Sequence, residues 1–186
     1  MKKFIAIAFS LLLLSGAAAG ADKAKSEKAD KKEEGGIRKS VLMNFSKGDQ
    51  FSNGGFEQGL CEEHLTGKEK VRLKVKGSYG VFGSSKNVDW SKFNYLMFNA
   101  FLTGDKPYSG SLLVGDKESY AKWGGMNYAT LNFTLKPGEN KEVHLGIDGL
   151  ATSARPLDMK NIQVYQFYPE APEMFLGNIY LVYEEE

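Results

Sequence analysis

Residues 128–135 read Tyr128-Ala129-Thr130-Leu131-Asn132-Phe133-Thr134-Leu135. Successive side chains of a strand point to opposite sides. Ala129, Leu131, Phe133 and Leu135 therefore share one apolar face, while Tyr128, Thr130, Asn132 and Thr134 share the other. That period of two, closed by the turn signal Lys136-Pro137-Gly138, is the pattern of a half-buried strand. It recurs where Val71, Leu73 and Val75 alternate with Lys70, Arg72, Lys74 and Lys76. Further strands are expected at Val41–Ser46, Leu60–Leu65, Tyr95–Leu102, Ser111–Gly115, Lys141–Gly146, Ile162–Tyr168 and Met174–Tyr183. No stretch shows a 3.6-residue apolar stripe, and a single helical turn is expected around Ile147–Leu150. Short strands in this number, separated by turn residues, predict an all-β fold: a jelly-roll β-sandwich of two antiparallel sheets.

Composition narrows the function classes. Of 186 residues, 42% are apolar, 25% charged and 12% aromatic, a globular profile. The formal charge is +1, from 24 basic and 23 acidic residues, whereas a dedicated nucleic-acid binder is expected to be clearly basic. The one cysteine, Cys61, excludes an intramolecular disulfide and a thiolate zinc cluster. With His64 and His144 as the two histidines, a histidine-rich metal site is excluded as well.

Residues 1–21 read as a bacterial-type signal peptide. Lys2 and Lys3 form the charged start, Phe4–Leu14 the apolar run, and Ala19-Gly20-Ala21 the cleavage signal before Asp22. The run is too short for a comfortable span and nothing like a stop-transfer segment follows, so the mature chain is expected to be secreted or periplasmic without a membrane span. Residues 22–36 (DKAKSEKADKKEEGG) carry five lysines and five acids with no aromatic or β-branched residue. A segment with nothing to bury does not offset its ordering entropy and is expected to be a flexible linker. One domain, residues 37–186, remains, long enough for a well-filled core.

Several stretches of that domain carry a resemblance. Asp89-Trp90-Ser91-Lys92-Phe93-Asn94-Tyr95-Leu96-Met97-Phe98-Asn99 resembles the D-W-S-x-Y-x-Y-L-x-F segment of carbohydrate-binding-module-like jelly rolls of the galactose-binding superfamily. Residues 130–140, with Phe133, Leu135, Pro137, Gly138 and Asn140, are similar to their F-x-L-x-P-G-x-N strand and turn. Arg155-Pro156-Leu157-Asp158-Met159-Lys160-Asn161-Ile162 resembles R-P-L-D-L-S-N-I, and Leu176-Gly177-Asn178-Ile179-Tyr180-Leu181 resembles the closing L-D-N-I-x-L strand. The match runs in order from about Val41 to Val182. It implies secretion, binding of a polysaccharide or oligosaccharide without catalysis, and often a structural calcium ion. The calcium ligands carry over incompletely: the first strand reads Asn44-Phe45-Ser46 where acids are expected, and Gly177 replaces an Asp, leaving Asn44, Asp49 and Glu57 as donors. No cofactor or metal is expected.

Sugar recognition needs a rigid aromatic platform with a few planar polar groups beside it. Trp90 leads into a strand and is expected in the core. Trp123 lies with Tyr120 in the polar, glycine-ended stretch Glu118–Gly125, where it either meets ligand or anchors the loop. Tyr128, on the polar face of its strand, extends that platform, with polar help from Asn127 and Asn132. Of Tyr165 and Gln166, one points inward and one outward. The alternating Lys68, Lys70, Arg72, Lys74 and Lys76 read as a solvated face of one strand or as a stripe for an anionic polymer, with Glu62 lying across from it if Leu60–Leu65 forms the hairpin partner. As strand residues three apart, Cys61 and His64 point to opposite faces and form no nucleophile–base pair, and no serine-hydrolase elbow, Walker loop or HExxH pattern occurs. The expectation is an exported, non-catalytic carbohydrate-binding protein; the alternative is a periplasmic or surface protein-interaction module.

Overall fold

The computed structural model describes residues 36–51, 53–121, 127–168 and 170–185; the segment expected to be a signal peptide, most of the expected linker and Trp123 lie outside these described residues. Nine strands follow in order: β1 Arg38–Met43, β2 Asn53–Cys61, β3 Arg72–Val88, β4 Tyr95–Leu102, β5 Tyr108–Asp116, β6 Ala129–Leu135, β7 Gly138–Gly146, β8 Ile162–Tyr168 and β9 Ala171–Tyr183. A 3₁₀ turn, Phe45–Lys47, follows β1, and a five-residue helix, α1 Lys117–Ala121, separates β5 from β6. The helical turn expected at Ile147–Leu150 is a hydrogen-bonded turn instead.

Every pairing is antiparallel. The first sheet runs β2-β3-β9-β4-β7, with β1 alongside the C-terminal half of β9; the second runs β6-β5-β8-β3. β3 belongs to both, because its first half pairs with β9 and its second half with β8. The crossing falls at Gly77, whose φ of 124° suits glycine and whose added Cβ would collide with the carbonyl oxygen of Gly55. The sequence pattern ended this strand near Lys76, since the glycines that follow read as a turn rather than a bend within a 17-residue strand.

The alternation of residues 129–135 is reproduced: Ala129, Leu131, Phe133 and Leu135 are buried while Thr130, Asn132 and Thr134 are exposed. Trp90, Phe98, Phe133 and Phe167 fill the space between the sheets. Phe98 lies edge-to-face against Phe133 and Phe167, with centroids 5.7 and 5.8 Å away. Trp90 is fully buried as expected, 5.6 Å from the Tyr165 ring.

The resembling segments are joints of this framework. Asn140 accepts from Lys136 N–H and donates to the carbonyls of Lys136 and Gly138, closing the β6–β7 turn. Asp89 Oδ1 accepts from the Ser91 N–H and hydroxyl, setting the turn that admits Trp90. Arg155 reaches across to Asp116 with two hydrogen bonds of 2.6 and 2.8 Å, locking the segment before β8 onto the end of β5. These residues build the sandwich and are not free to hold a ligand.

Candidate functional site

The register of the second sheet brings one set of side chains onto its outer face. Asn132, Ser111 and Tyr168 form one row across β6, β5 and β8; Thr130, Leu113 and Gln166 form the next. Ser111 donates to Asn132 Oδ1 at 2.8 Å, and Ser109 and Thr134 are 3.2 Å apart in the adjoining row. Tyr128, half-buried, continues the β6 line beyond Ala129 toward Gly115 of β5. Tyr168 is 50% exposed, an uncommon state for a large ring on a sheet. The choice left open by periodicity is thereby made: Tyr165 points into the core and Gln166 outward.

At one end this face is roofed. Leu113 and Val164 stay buried although they stand outside the main core cluster, on the outer side of β5 and β8. α1 packs against both strands there, tied down where Asp116 Oδ1 accepts the Ser119 N–H at 2.9 Å. Tyr120 falls in this helix, and Asn127, half-buried, leads back into β6. Tyr128 and Asn132 therefore fall on one sheet with Asn127 adjoining in sequence, while Tyr120 belongs to α1. Tyr168, Ser111 and Thr130 were missed in the sequence. Once Phe167 is assigned to the core, alternation alone places Tyr168 outside; the cross-strand row it joins has no local signal.

The lysine stripe is not one strand face. β2 is Asn53–Cys61 rather than Leu60–Leu65, so the hairpin loop is residues 62–71 and holds Glu62, Lys68 and Lys70. Arg72 pairs with Cys61 in the ladder, and Lys76 lies opposite Glu57. Arg72 is fully buried, not solvated: its guanidinium donates to Glu69 Oε2 at 2.8 Å, to Thr66 Oγ1 at 2.8 Å, and to both Glu139 oxygens at 3.0 and 3.1 Å. Lys74 pairs with Glu173 at 2.9 Å and sits 5.4 Å from the centre of the Phe175 ring. The pattern of alternate cations is thus divided among three uses, because the loop folds back over the outer face of the first sheet. His64, in that loop at a positive φ of 54°, stacks on Phe101 with ring centres 3.7 Å apart. Cys61, half-buried at the strand end, directs its Sγ toward the Arg72 carbonyl.

Burial alone would raise the Glu69 carboxyl, but hydrogen bonds from Asn99, Arg72 and Thr66 outweigh it and hold the group below its ordinary value. Its second oxygen reaches Asn99 Nδ2 at 2.9 Å. Gly177 makes room for this contact, since a Cβ there would collide with Glu69 Oε1 and crowd Asn99 Cβ at 3.3 Å. The absent Asp at position 177 thus has a structural reason. Gly177→Ala is expected to destabilise the fold by about 1–3 kcal/mol through overpacking. A urea midpoint equal to the parent's would show that the loop yields freely.

Asp49 Oδ2 accepts the Asn44 N–H at 2.7 Å, while Glu57 belongs to β2 opposite Lys76. Among the described residues no group of three His, Cys, Asp or Glu side chains is placed to hold a metal ion. Nor is any helix there long and apolar enough to cross a membrane.

The two antiparallel sheets that share the bent β3 define a jelly-roll β-sandwich like that of solved carbohydrate-binding modules. Solved structures of this fold include a family 11 carbohydrate-binding module from Clostridium thermocellum in complex with a β-1,3-1,4-mixed-linked tetrasaccharide, 16% identical, covering 80% of this chain and 97% of that one at a TM-score of 0.51. The solution structure of CtCBM11 is 17% identical over 80% of this chain and 96% of that chain, with a TM-score of 0.55. An agarase, AgWH50C, is 13% identical over 80% of this chain but 25% of its own, with a TM-score of 0.53. No family model matches the sequence, and no curated protein matches it. At these identities the likeness is one of fold.

Proposed function

We propose that the protein is an exported, non-catalytic carbohydrate-binding module whose glycan lies across the outer face of β6, β5 and β8. The observation that carries this reading is the row Asn132–Ser111–Tyr168. It sets an exposed ring beside amide and hydroxyl groups on a rigid sheet, which suits a pyranose with one apolar face and a rim of hydroxyls. Thr130 and Gln166 extend the polar lining and Tyr128 forms a second stacking surface, with Asn127 next to it in sequence; Tyr120 and Trp123 remain candidates from the sequence. The solved module bound to a tetrasaccharide supports the substrate class through shared fold.

The non-catalytic part of this reading rests on the likeness in fold to carbohydrate-binding modules. The strongly held acid, Asp116, is engaged by Arg155 and two backbone N–H groups. Large apolar side chains exposed among the described residues, namely Val41, Leu60, Leu65 and Tyr168, are spread over β1, β2, the 62–71 loop and β8, which favours sugar over a broad protein-docking patch. Export follows from the sequence of residues 1–21.

Affinity electrophoresis of the mature chain against neutral polysaccharides tests the site. Tyr168→Ala is expected to weaken retardation about 5- to 30-fold, equivalent to about 1–2 kcal/mol of lost stacking. Asn132→Ala and Trp123→Ala should each weaken it too. Binding that survives all three substitutions would move the site, and a folded parent that binds no neutral glycan would sink the reading.

A further inference from the structure

A groove of about 730 Å³ opens on the other side of the sandwich, along the outer face of the first sheet. Met97 and Asn99 of β4 and Tyr180 of β9 form its floor. One wall is β1 with the 3₁₀ turn, contributing Lys39 and Lys47; the other is the 62–71 loop with β7, contributing Lys68, Lys70 and Lys141. Five ammonium groups thus surround one cleft in a protein whose formal net charge is +1. Two acids share the lining, Glu69 and Glu142, and Glu69 is already neutralised by the buried Arg72. Lys47, Lys68, Lys70 and Lys141 are exposed and make no ion pair among the described residues. Gathering like charges in a concave site costs energy in the empty protein and focuses a positive potential into the cleft.

The groove is also built rather than incidental. Lys68 and Lys70 are carried by a loop held through Glu69 to Arg72, Asn99 and Thr66. Asn99 accepts the Glu142 N–H at 2.9 Å, which fixes the β7 part of that wall against the same floor. Tyr180 receives a 3.4 Å contact from Asn178 Nδ2 on its hydroxyl oxygen, so its own proton is left to donate.

We propose that this groove is a second ligand site, for a glycan bearing carboxylate or sulfate groups. The anions pair with the lysines on both walls, and the sugar rings lie over Tyr180 and Met97. Nucleic acid fits less well: the floor offers one aromatic ring instead of successive stacking platforms, and the rim carries point-charge ammonium groups rather than arginine forks. A lipid surface fits less well too, since the lysines flank a recess rather than project from a flat face. This site is on a different sheet from the proposed neutral-glycan face, so the two readings fail separately.

The experiment is affinity electrophoresis of the mature chain in gels holding polygalacturonate or dextran sulfate, with mixed-linkage β-glucan as the neutral control and an oligo-dT of comparable length as competitor. The parent should be retarded by an anionic polysaccharide, less so as salt is raised. Lys68→Gln/Lys70→Gln/Lys141→Gln should weaken that retardation about tenfold or more, from three exposed charge pairs, and Tyr168→Ala should leave it unchanged. The three lysines are exposed, and an unchanged urea midpoint would certify a folded variant. Absence of retardation of the parent by both anionic polymers overturns the proposal, as does full binding by the triple variant. Preferential competition by oligo-dT overturns the ligand class and reassigns the groove to phosphate backbones.

Discussion

Arg72→Ala is expected to destabilise the domain by about 3–5 kcal/mol, the cost of leaving buried charges without their partner. Arg72 is fully buried, and its guanidinium is the common centre of Glu69 and Glu139, whose side chains are 15% and 24% exposed. Removing it leaves two carboxylates facing one another across a gap. At about 2–4 °C per kcal/mol for a domain of this size, the melting temperature should fall by about 10 °C. Arg72→Lys should not restore the parent, because a single ammonium does not reproduce the paired contacts to Glu139 and the third to Thr66. Arg72→Met combined with Glu69→Gln and Glu139→Gln should recover most of the loss, since the penalty arises from unpaired charge. A loss below about 1 kcal/mol in urea denaturation of Arg72→Ala would contradict this account. The same variant should loosen the 62–71 loop and with it the lysine groove.

The second large effect is at Asp116. Burial alone would push its carboxyl up, but hydrogen bonds from Arg155, from the Asp158 N–H and from Ser119 outweigh that and hold it far below the usual carboxylate range. A folded-state value below the unfolded one makes the charged form a stabilising element. Its contribution is complete above the unfolded value of about 3.9 and is lost as pH falls through that value toward the folded one. Asp116→Asn should therefore cost about 2–3 kcal/mol at neutral pH, a figure reduced from the fully buried case because Arg155 is 28% exposed. The gap between parent and variant should narrow on acidification below about pH 4. Urea midpoints across that range give the test, and a gap of constant size down to pH 2.5 would refute the assignment. Because Asp116 also anchors α1 through Ser119, the variant should weaken neutral-glycan binding at the roofed end of the second sheet.

Much of the architecture was legible in local pattern. Tyr95–Leu102 and Ile162–Tyr168 are strands with the bounds expected from the sequence. Both are short, rich in apolar and aromatic residues and flanked by polar residues or proline, so burial and propensity agree. The errors lie where the chain departs from its local preference. Leu60–Leu65 reads as a strand candidate, but pairing of Cys61 with Arg72 ends the ladder there and turns residues 62–71 into a covering loop. The expected cation stripe failed for the same reason: periodicity assigns a side, yet another segment can bury that side. Of the candidate site residues, Tyr128 and Asn132 were visible from the polar face of β6, whereas Tyr168 and Ser111 joined them through strand order, which a single segment does not encode.

By itself, the sequence determined what depends on neighbours along the chain: strand period, turn chemistry at Gly138 and the inward place of Trp90. Tertiary structure alone decided what depends on partners distant in sequence. It set Asn132, Ser111 and Tyr168 in one row through the order β6-β5-β8. It buried Arg72 beneath its own loop against Glu139, and it gathered Lys47, Lys68, Lys70 and Lys141 around a groove floored by Tyr180. The physical reason is that side-chain direction is a local property of backbone geometry, whereas burial and electrostatic environment are set by whatever else packs against that side.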